Sequence, residues 1–124
     1  MRAADDIADA RQDVLDAAEA AGMDAERANL LAFAASEMVT NALVHGGGAG
    51  EVGISVTDDA IVVTVRDRGP GFTPAVGPDR PDPAAEGGRG LWLAEQLCDD
   101  MTIDSGPHGT TVRLTMHRLD RDRP

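Results

Sequence analysis

The feature that most constrains the fold is a change of hydrophobic period at the glycine run 46–48. Before these glycines, apolar residues recur at helical spacing, and Asp24 stands where a residue that caps a helix through about Leu43 is expected. From Glu51 onward, apolar and polar residues alternate, which is typical of a strand with one buried face. A long apolar helix followed by half-buried strands predicts a helix layer packed on a sheet.

The remaining stretches complete this arrangement. The predicted elements are a helix Ala3–Ala21 stopped by Gly22, the helix from Asp24, a hairpin turning at Asp58-Asp59, a proline-punctuated loop Phe72–Gly88, a helix Leu91–Leu97, a strand Met101–Ile103, a turn Ser105–Gly109 and a strand Thr110–His117. Helices and strands segregate, so we predict an α+β two-layer sandwich, with a mixed, mostly antiparallel sheet covered on one face by about three helices. We expect residues 1–118 to form one domain and residues 119–124 to form a charged tail.

Composition excludes several classes of function. The chain contains no lysine, so a Walker-type phosphate loop is excluded, and its single cysteine, Cys98, excludes an internal disulfide. A net charge of -11 argues against direct nucleic-acid binding. No apolar run is long enough for a membrane span, and no signal peptide is visible, so a cytoplasmic protein is expected. The acidic residues of the first 28 positions form either a solvated helix face or a surface for a basic partner.

Polar side chains interrupt the long apolar helix at regular intervals. Glu37, Asn41 and His45 follow one another at four-residue spacing and therefore share one helix face. An asparagine oxygen suits Mg²⁺, and a glutamate one turn away could accept a proton from a hydroxyl or water. The alternative is a polar seam between the helix and a loop, and the spacing alone leaves both interpretations open.

Three glycine-containing elements follow the helix. Asp67-Arg68-Gly69-Pro70-Gly71 comes after a strand, where Asp67 could accept a hydrogen bond from the exocyclic amine of adenine, although these are also ordinary turn residues. Gly87-Gly88-Arg89-Gly90 precedes a helix, where backbone amides can hold an anion, or where glycines can form a simple hinge. The turn 106–111 could simply join two strands.

The order and spacing of these four elements resemble those of the GHKL ATPases, the superfamily of gyrase, heat-shock chaperone ATPases and histidine kinases. Glu37 to His45 resembles the N box of that superfamily, Asp67 to Gly71 its G1 box, Gly87 to Gly90 its G2 box and Gly109-Thr110-Thr111 its G3 element. Within the superfamily, the chain looks most like the anti-sigma-factor serine kinases of the RsbW type. The resemblance implies the Bergerat-type ATP-binding fold, with ATP and Mg²⁺ as cofactors.

The resemblance also implies a role for each matching residue. Glu37 would be the general base for a serine or threonine hydroxyl of a partner, and Asn41 would bind Mg²⁺. The implied nucleotide-binding residues are Asn41, His45, Asp67, Gly69, Gly71, Gly88, Arg89, Gly90, Leu91 and Thr111, of which Asp67 would read adenine and Thr111 would lie near it.

The implied function is that of an ATP-dependent serine/threonine protein kinase that phosphorylates an anti-sigma antagonist and sequesters a sigma factor. Relatives often carry an arginine before the G2 glycines, and here that position is Glu86. The alternative is therefore an ATP-binding regulatory module that holds a partner without effective phosphoryl transfer. The resemblance suggests a homodimer as well.

Overall fold

The computed structural model describes residues 2–3, 7–45, 50–69 and 88–118, which form an antiparallel sheet with three helices packed on one face. This arrangement confirms the predicted α+β fold class. The strand order across the sheet is β1-β2-β3-β5-β4. The elements are β1 Arg2–Ala3, α1 Ile7–Ala20, α2 Ala25–His45, β2 Gly50–Val56, β3 Ala60–Asp67, α3 Gly88–Leu97, β4 Asp100–Gly106 and β5 Gly109–His117.

The connection between α1 and α2 follows the sequence prediction. Gly22 adopts a φ of 75°, and the amides of Gly22 and Met23 donate to the carbonyls of Glu19 and Ala18, which is a Schellman motif. Asp24 then caps α2, because its Oδ1 accepts a 2.9 Å hydrogen bond from the Glu26 amide. Both helix ends are thus satisfied within a few residues, and α2 lies between α1 and α3.

The inner face of the sheet is built in rows that run across β2, β3, β5 and β4. Successive rows are Val52–Val65–Val112–Ile103 and Ile54–Val63–Leu114–Met101. These side chains pack against the helices, where Leu31, Met38 and Val39 of α2 are fully or almost fully buried. Burying such side chains contributes about 1.5–3 kcal/mol each, so this interface holds the two layers together.

An ion pair joins the beginning of α2 to the connection between α3 and β4. The Arg27 guanidinium contacts the Asp99 carboxylate and donates from Nε to the carbonyl of His117 at 2.9 Å. The Asp99 carboxylate also accepts a 2.7 Å hydrogen bond from the backbone amide of His117. One arginine therefore fixes the carboxyl end of α3 against α2 and β5.

Several boundaries differ from the sequence prediction. Arg2–Ala3 pairs with β2 as a short strand, whereas the first helix was expected to begin at Ala3. Gly88 and Gly90 lie in the first turn of α3, whereas the helix was expected to begin at Leu91. β4 and β5 are longer than predicted and are joined by a tight turn at Pro107-His108.

Every strand pairing among the described residues is antiparallel. In the same part of the chain, each helix is too short or too polar to cross a lipid bilayer.

Candidate functional site

One row of the inner sheet face is polar, in contrast to the apolar rows beside it. Asp67 of β3 lies opposite Gly50 of β2 on one side and opposite Thr110 of β5 on the other, and Thr110 lies opposite Ser105 of β4. The hydroxyls of Ser105 and Thr110 are hydrogen-bonded at 2.8 Å, and Thr110 is buried. The sheet therefore ends in a polar row, beneath the helix layer, where the apolar core stops.

The Asp67 carboxylate is held in a fixed orientation by its own turn. Its Oδ1 accepts a 2.9 Å hydrogen bond from the amide of Gly69, a local bond of the kind that aspartate makes two residues ahead. Gly69 is buried. Within the described residues, this bond to Gly69 is the one side-chain hydrogen bond of the carboxylate, and it engages Oδ1 alone.

The β4–β5 turn lies against this aspartate. Gly109 has a φ of 140°, and a Cβ atom placed on it would overlap the carbonyl oxygen of Asp67 and lie 3.1 Å from the Cα atom of Arg68. Only glycine allows this approach. The G3 glycine thus brings the end of β5 against the end of β3.

The end of α2 reaches the same polar row. A Cβ atom on Gly50 would lie 3.1 Å from the Cβ atom of Ala42, so the helix and the sheet approach closely where Gly50 pairs with Asp67. Asn41 precedes Ala42, and Glu37 lies one turn earlier. The structure therefore brings the predicted N box and the predicted G1 box to one end of the molecule.

Asn41 carries an unusual buried amide. Its Nδ2 atom is buried and has no hydrogen-bond partner in the described part of the chain. Leaving a buried polar group unpaired costs about 1–3 kcal/mol, which a plain core residue would avoid. Among the described residues, the Asn41 amide nitrogen is therefore a donor that a bound ligand could use.

The donor set around Asn41 agrees with a magnesium ion bound together with phosphates. Among the described residues, no cluster of three or more His, Cys, Asp or Glu side chains could hold a metal by itself. Mg²⁺ typically takes one or two protein oxygens and completes its shell with water and phosphate oxygens. The Asn41 side-chain oxygen fits that role.

The Glu37 side chain is half-buried on the same helix face. No hydrogen bond or ion pair engages its carboxylate within the described residues. A carboxylate that is accessible and uncommitted can accept a proton.

The remaining predicted residues are placed to different degrees. Gly88 to Leu91 form the first turn of α3, whose backbone amides can face an anion. For His45, Arg89 and Leu91 the structure describes the helical backbone alone, while Gly71 and Glu86 lie outside the described residues.

Sequence reasoning passed over one residue of the polar row. Thr111 pairs with Arg66 and so belongs to the opposite sheet face, whereas Thr110 pairs with Asp67 directly. The direct neighbour of the aspartate is therefore Thr110. The alternation of Thr110 with the buried Val112 and Leu114 is the signal that could have identified it.

Cys98 belongs to the core rather than to the site. Burial, and to a smaller degree the nearby Asp99 carboxylate, raises the pKa of its thiol to about 12, although Arg27 opposes the shift. A thiol with such a high pKa is a poor nucleophile at neutral pH. Cys98 is buried in the hydrophobic core.

The chain is similar in sequence to known bacterial proteins. The chain is 44% identical over 93 residues to an anti-sigma F factor of Bacillus velezensis, an alignment that covers 66% of this chain and 64% of that protein. It is 38% identical over 109 residues to a serine-protein kinase RsbW of Bacillus licheniformis, covering 75% of this chain and 66% of that protein. The chain thus spans just under two thirds of the length of the anti-sigma F factors that it matches.

A solved structure shows the same architecture. A histidine kinase domain from the Erythrobacter litoralis EL346 blue-light activated histidine kinase superposes with a TM-score of 0.56 at 29% identity, over 76% of this chain and 46% of that chain. The family described as the histidine kinase-like ATPase domain matches residues 2–116, nearly the whole sequence. On its sequence and its fold, the chain belongs to the histidine kinase-like ATPase domain family.

Proposed function

We propose that the chain is a Mg-ATP-dependent serine/threonine protein kinase of the anti-sigma-factor type. The observation that carries this proposal is the position of Glu37, one helical turn from Asn41 on the helix that ends at the polar row of Asp67. Within the described residues, neither the Glu37 carboxylate nor the Asn41 amide nitrogen has a hydrogen-bond partner. The names of the relatives, an anti-sigma F factor and a serine-protein kinase, support the same assignment.

Each part of the site has a distinct task in the proposed reaction. Asp67 Oδ2 would accept a hydrogen bond from the exocyclic amine of adenine, because Oδ1 already accepts the hydrogen bond from the Gly69 amide. The amides at the beginning of α3, with Gly88 and Gly90, would bind phosphate oxygens. Asp67 at the end of β3 and the first turn of α3 would thus orient the nucleotide together.

Asn41 would hold the metal and Glu37 would act as the base. A bound Mg²⁺ supplies charge neutralisation on the phosphates during transfer. Glu37 would accept the proton of the attacking hydroxyl, which lets the oxygen of that hydroxyl form its bond to the γ-phosphorus while the bond to the leaving ADP breaks.

The proposed partners are an anti-sigma antagonist, as the phosphoacceptor, and a sigma factor that the kinase sequesters. Because these partners are cytoplasmic proteins, we propose that the chain acts in the cytoplasm.

We also propose that residues 1–118 work as one domain and that the protein is a homodimer. Sedimentation of the purified chain would test the homodimer.

The test is transfer of a thiophosphate label to protein. Purified wild type, Glu37→Gln and Asn41→Leu are incubated with Mg²⁺ and γ-thio-ATP in a lysate of the source organism from which the gene for this chain has been deleted. We expect wild type to label a protein that the lysate alone does not label, and both variants to lose at least about 100-fold in labelling rate. Equal labelling with and without the wild-type chain contradicts kinase activity.

A second function is favoured by Glu86, which stands where relatives often carry an arginine. The alternative is an ATP-binding module that holds a regulatory partner without effective transfer. This alternative predicts that wild type binds ATP in calorimetry yet labels no protein in the same lysate.

A further inference from the structure

Within the described residues, the second half of α2 is open to solvent on one narrow stripe. Between Leu31 and Ala42, the residues that are not buried are Phe33, Glu37, Thr40 and Asn41. At about 100° per residue, these positions fall within an arc of roughly 100° around the helix axis. A molecule that reaches Glu37 from solvent therefore approaches along this stripe.

Phe33 is a conspicuous member of the stripe because a large apolar ring gains nothing from exposure to water. Its exposed fraction is 37%, and it lies one helical turn before Glu37. Asn29 and Glu26 continue the stripe toward the beginning of α2, and both are exposed. The open surface thus extends well beyond the proposed base.

Local hydrogen bonds fix the backbone along this stretch. The Ser36 hydroxyl donates to the carbonyl of Phe33 at 2.7 Å, and the Thr40 hydroxyl donates to the carbonyl of Ser36 at 2.8 Å. Consecutive bonds of this type tie one turn of the helix to the next. Phe33 is therefore held at a defined position relative to Glu37.

The size of the substrate decides whether it contacts Phe33. A hydroxyl that gives its proton to Glu37 must come within about 3 Å of the carboxylate, and the Cβ atoms of residues one turn apart lie about 6 Å from each other. A protein that presents such a hydroxyl covers several hundred Å² of the kinase surface. A water molecule in the same place would leave Phe33 uncovered.

We propose that Phe33 is a docking contact for the protein whose hydroxyl is phosphorylated, and that this protein presents an apolar side chain or recess beside the phosphoacceptor residue. The inference rests on the proposed kinase function. Phe33 contributes to binding of the protein substrate and takes no part in binding ATP. A few large side chains that become fully covered usually carry most of the binding energy of a protein interface.

The labelling assay with γ-thio-ATP and the gene-deleted lysate tests this inference when lysate protein is varied. Phe33→Ala is compared with Phe33→Leu, which keeps an apolar side chain, and with the control Ile7→Ala, which removes an apolar side chain of similar exposure, 38%, from the start of α1. Circular dichroism melting and calorimetric titration with ATP accompany each variant, so that loss of folding or of nucleotide binding is detected separately.

We expect Phe33→Ala to lower the labelling rate at low lysate concentration at least about tenfold, in line with a contact that dominates docking. The rate should recover as lysate concentration rises, with ATP affinity unchanged and with Phe33→Leu and Ile7→Ala close to wild type. If Phe33→Ala labels protein at the wild-type rate at every lysate concentration, the inference is overturned while the kinase function stands. A loss of ATP affinity, or a change of oligomeric state in sedimentation, overturns it too, since Phe33 would then contact the nucleotide or a second copy. Absence of labelling by wild type instead rejects the kinase function on which the inference rests.

Discussion

Gly109 lies so close to Asp67 that a side chain on the glycine would occupy the space of the aspartate's carbonyl oxygen. The two residues stand at facing ends of β5 and β3, and the next residue along, Thr110, pairs with Asp67 across the sheet. The β4–β5 turn therefore determines where the β3 end is placed, and with it the carboxylate that we assign to adenine.

Gly109→Ala should disturb both stability and the site. The added methyl group overlaps backbone, and the φ of 140° is unfavourable for alanine, so we expect a loss of about 2–4 kcal/mol in the free energy of unfolding. Urea denaturation followed by circular dichroism measures this loss. Gly106→Ala is the matched control, because no atom lies within 4 Å of the position of its Cβ. Equal stability of the two variants would refute the close approach of the turn.

Asp67→Asn should weaken ATP binding without unfolding the protein. The amide oxygen can still accept the Gly69 N–H, but the amide nitrogen then faces the donor amine of adenine. We expect ATP affinity to fall at least about tenfold, which corresponds to a lost hydrogen bond to a charged group. Fluorescence titration with an ATP analogue labelled on the ribose gives the affinity. Retention of wild-type affinity by this variant would remove Asp67 from the adenine site.

Asn41→Leu should weaken ATP binding without lowering the stability of the fold. The substitution removes a buried amide nitrogen that has no partner among the described residues, so the free energy of unfolding should stay constant or rise by up to about 2 kcal/mol. Magnesium-dependent ATP affinity should fall, because the side-chain oxygen is lost. Denaturation curves and titrations with and without Mg²⁺ test both expectations. A marked loss of stability would indicate that the amide has a structural role instead.

The Cys98 thiol should make stability depend on pH in the alkaline range. Its pKa is raised from 9.0 to about 12 in the folded chain, so the contribution is fully present below pH 9 and is lost as the pH rises toward 12. The chain has no lysine and no tyrosine, so Cys98 is the principal side chain that titrates between those values. Each pH unit in the window should cost up to about 1.4 kcal/mol.

Urea denaturation between pH 8 and pH 11 measures this dependence, and Cys98→Ala supplies the control. The alanine variant should be less stable than wild type at pH 8 but should show a much flatter profile above pH 9. Parallel profiles for the two proteins would disprove the assignment of the effect to the thiol.

The sequence predicts the layers of this fold well, since hydrophobic period distinguishes α2 from β2 and β3 without knowledge of tertiary contacts. Asp24 and Gly22 mark their helix ends because capping is a local interaction. The pairing of Arg2–Ala3 with β2 was missed, because two residues carry no period and only a distant strand makes them extended.

In the candidate site too, local features could be predicted from the sequence and tertiary ones could not. Glu37 and Asn41 could be placed on one helix face from their spacing alone. The pairing of Thr110 with Asp67 and the approach of Gly109 to Asp67 depend on strand register, which a single sequence does not reveal. The exposure of Phe33 could not be predicted either, because it depends on which faces of α2 are covered by the other helices and the sheet.

The most direct test of the account is calorimetric titration of the purified chain with ATP in the presence of Mg²⁺. The account predicts one binding site per chain, with affinity weakened by Asp67→Asn and Asn41→Leu and unchanged by Phe33→Ala. Absence of binding heat with wild type, or equal affinity for all four proteins, would contradict a nucleotide site at the polar row.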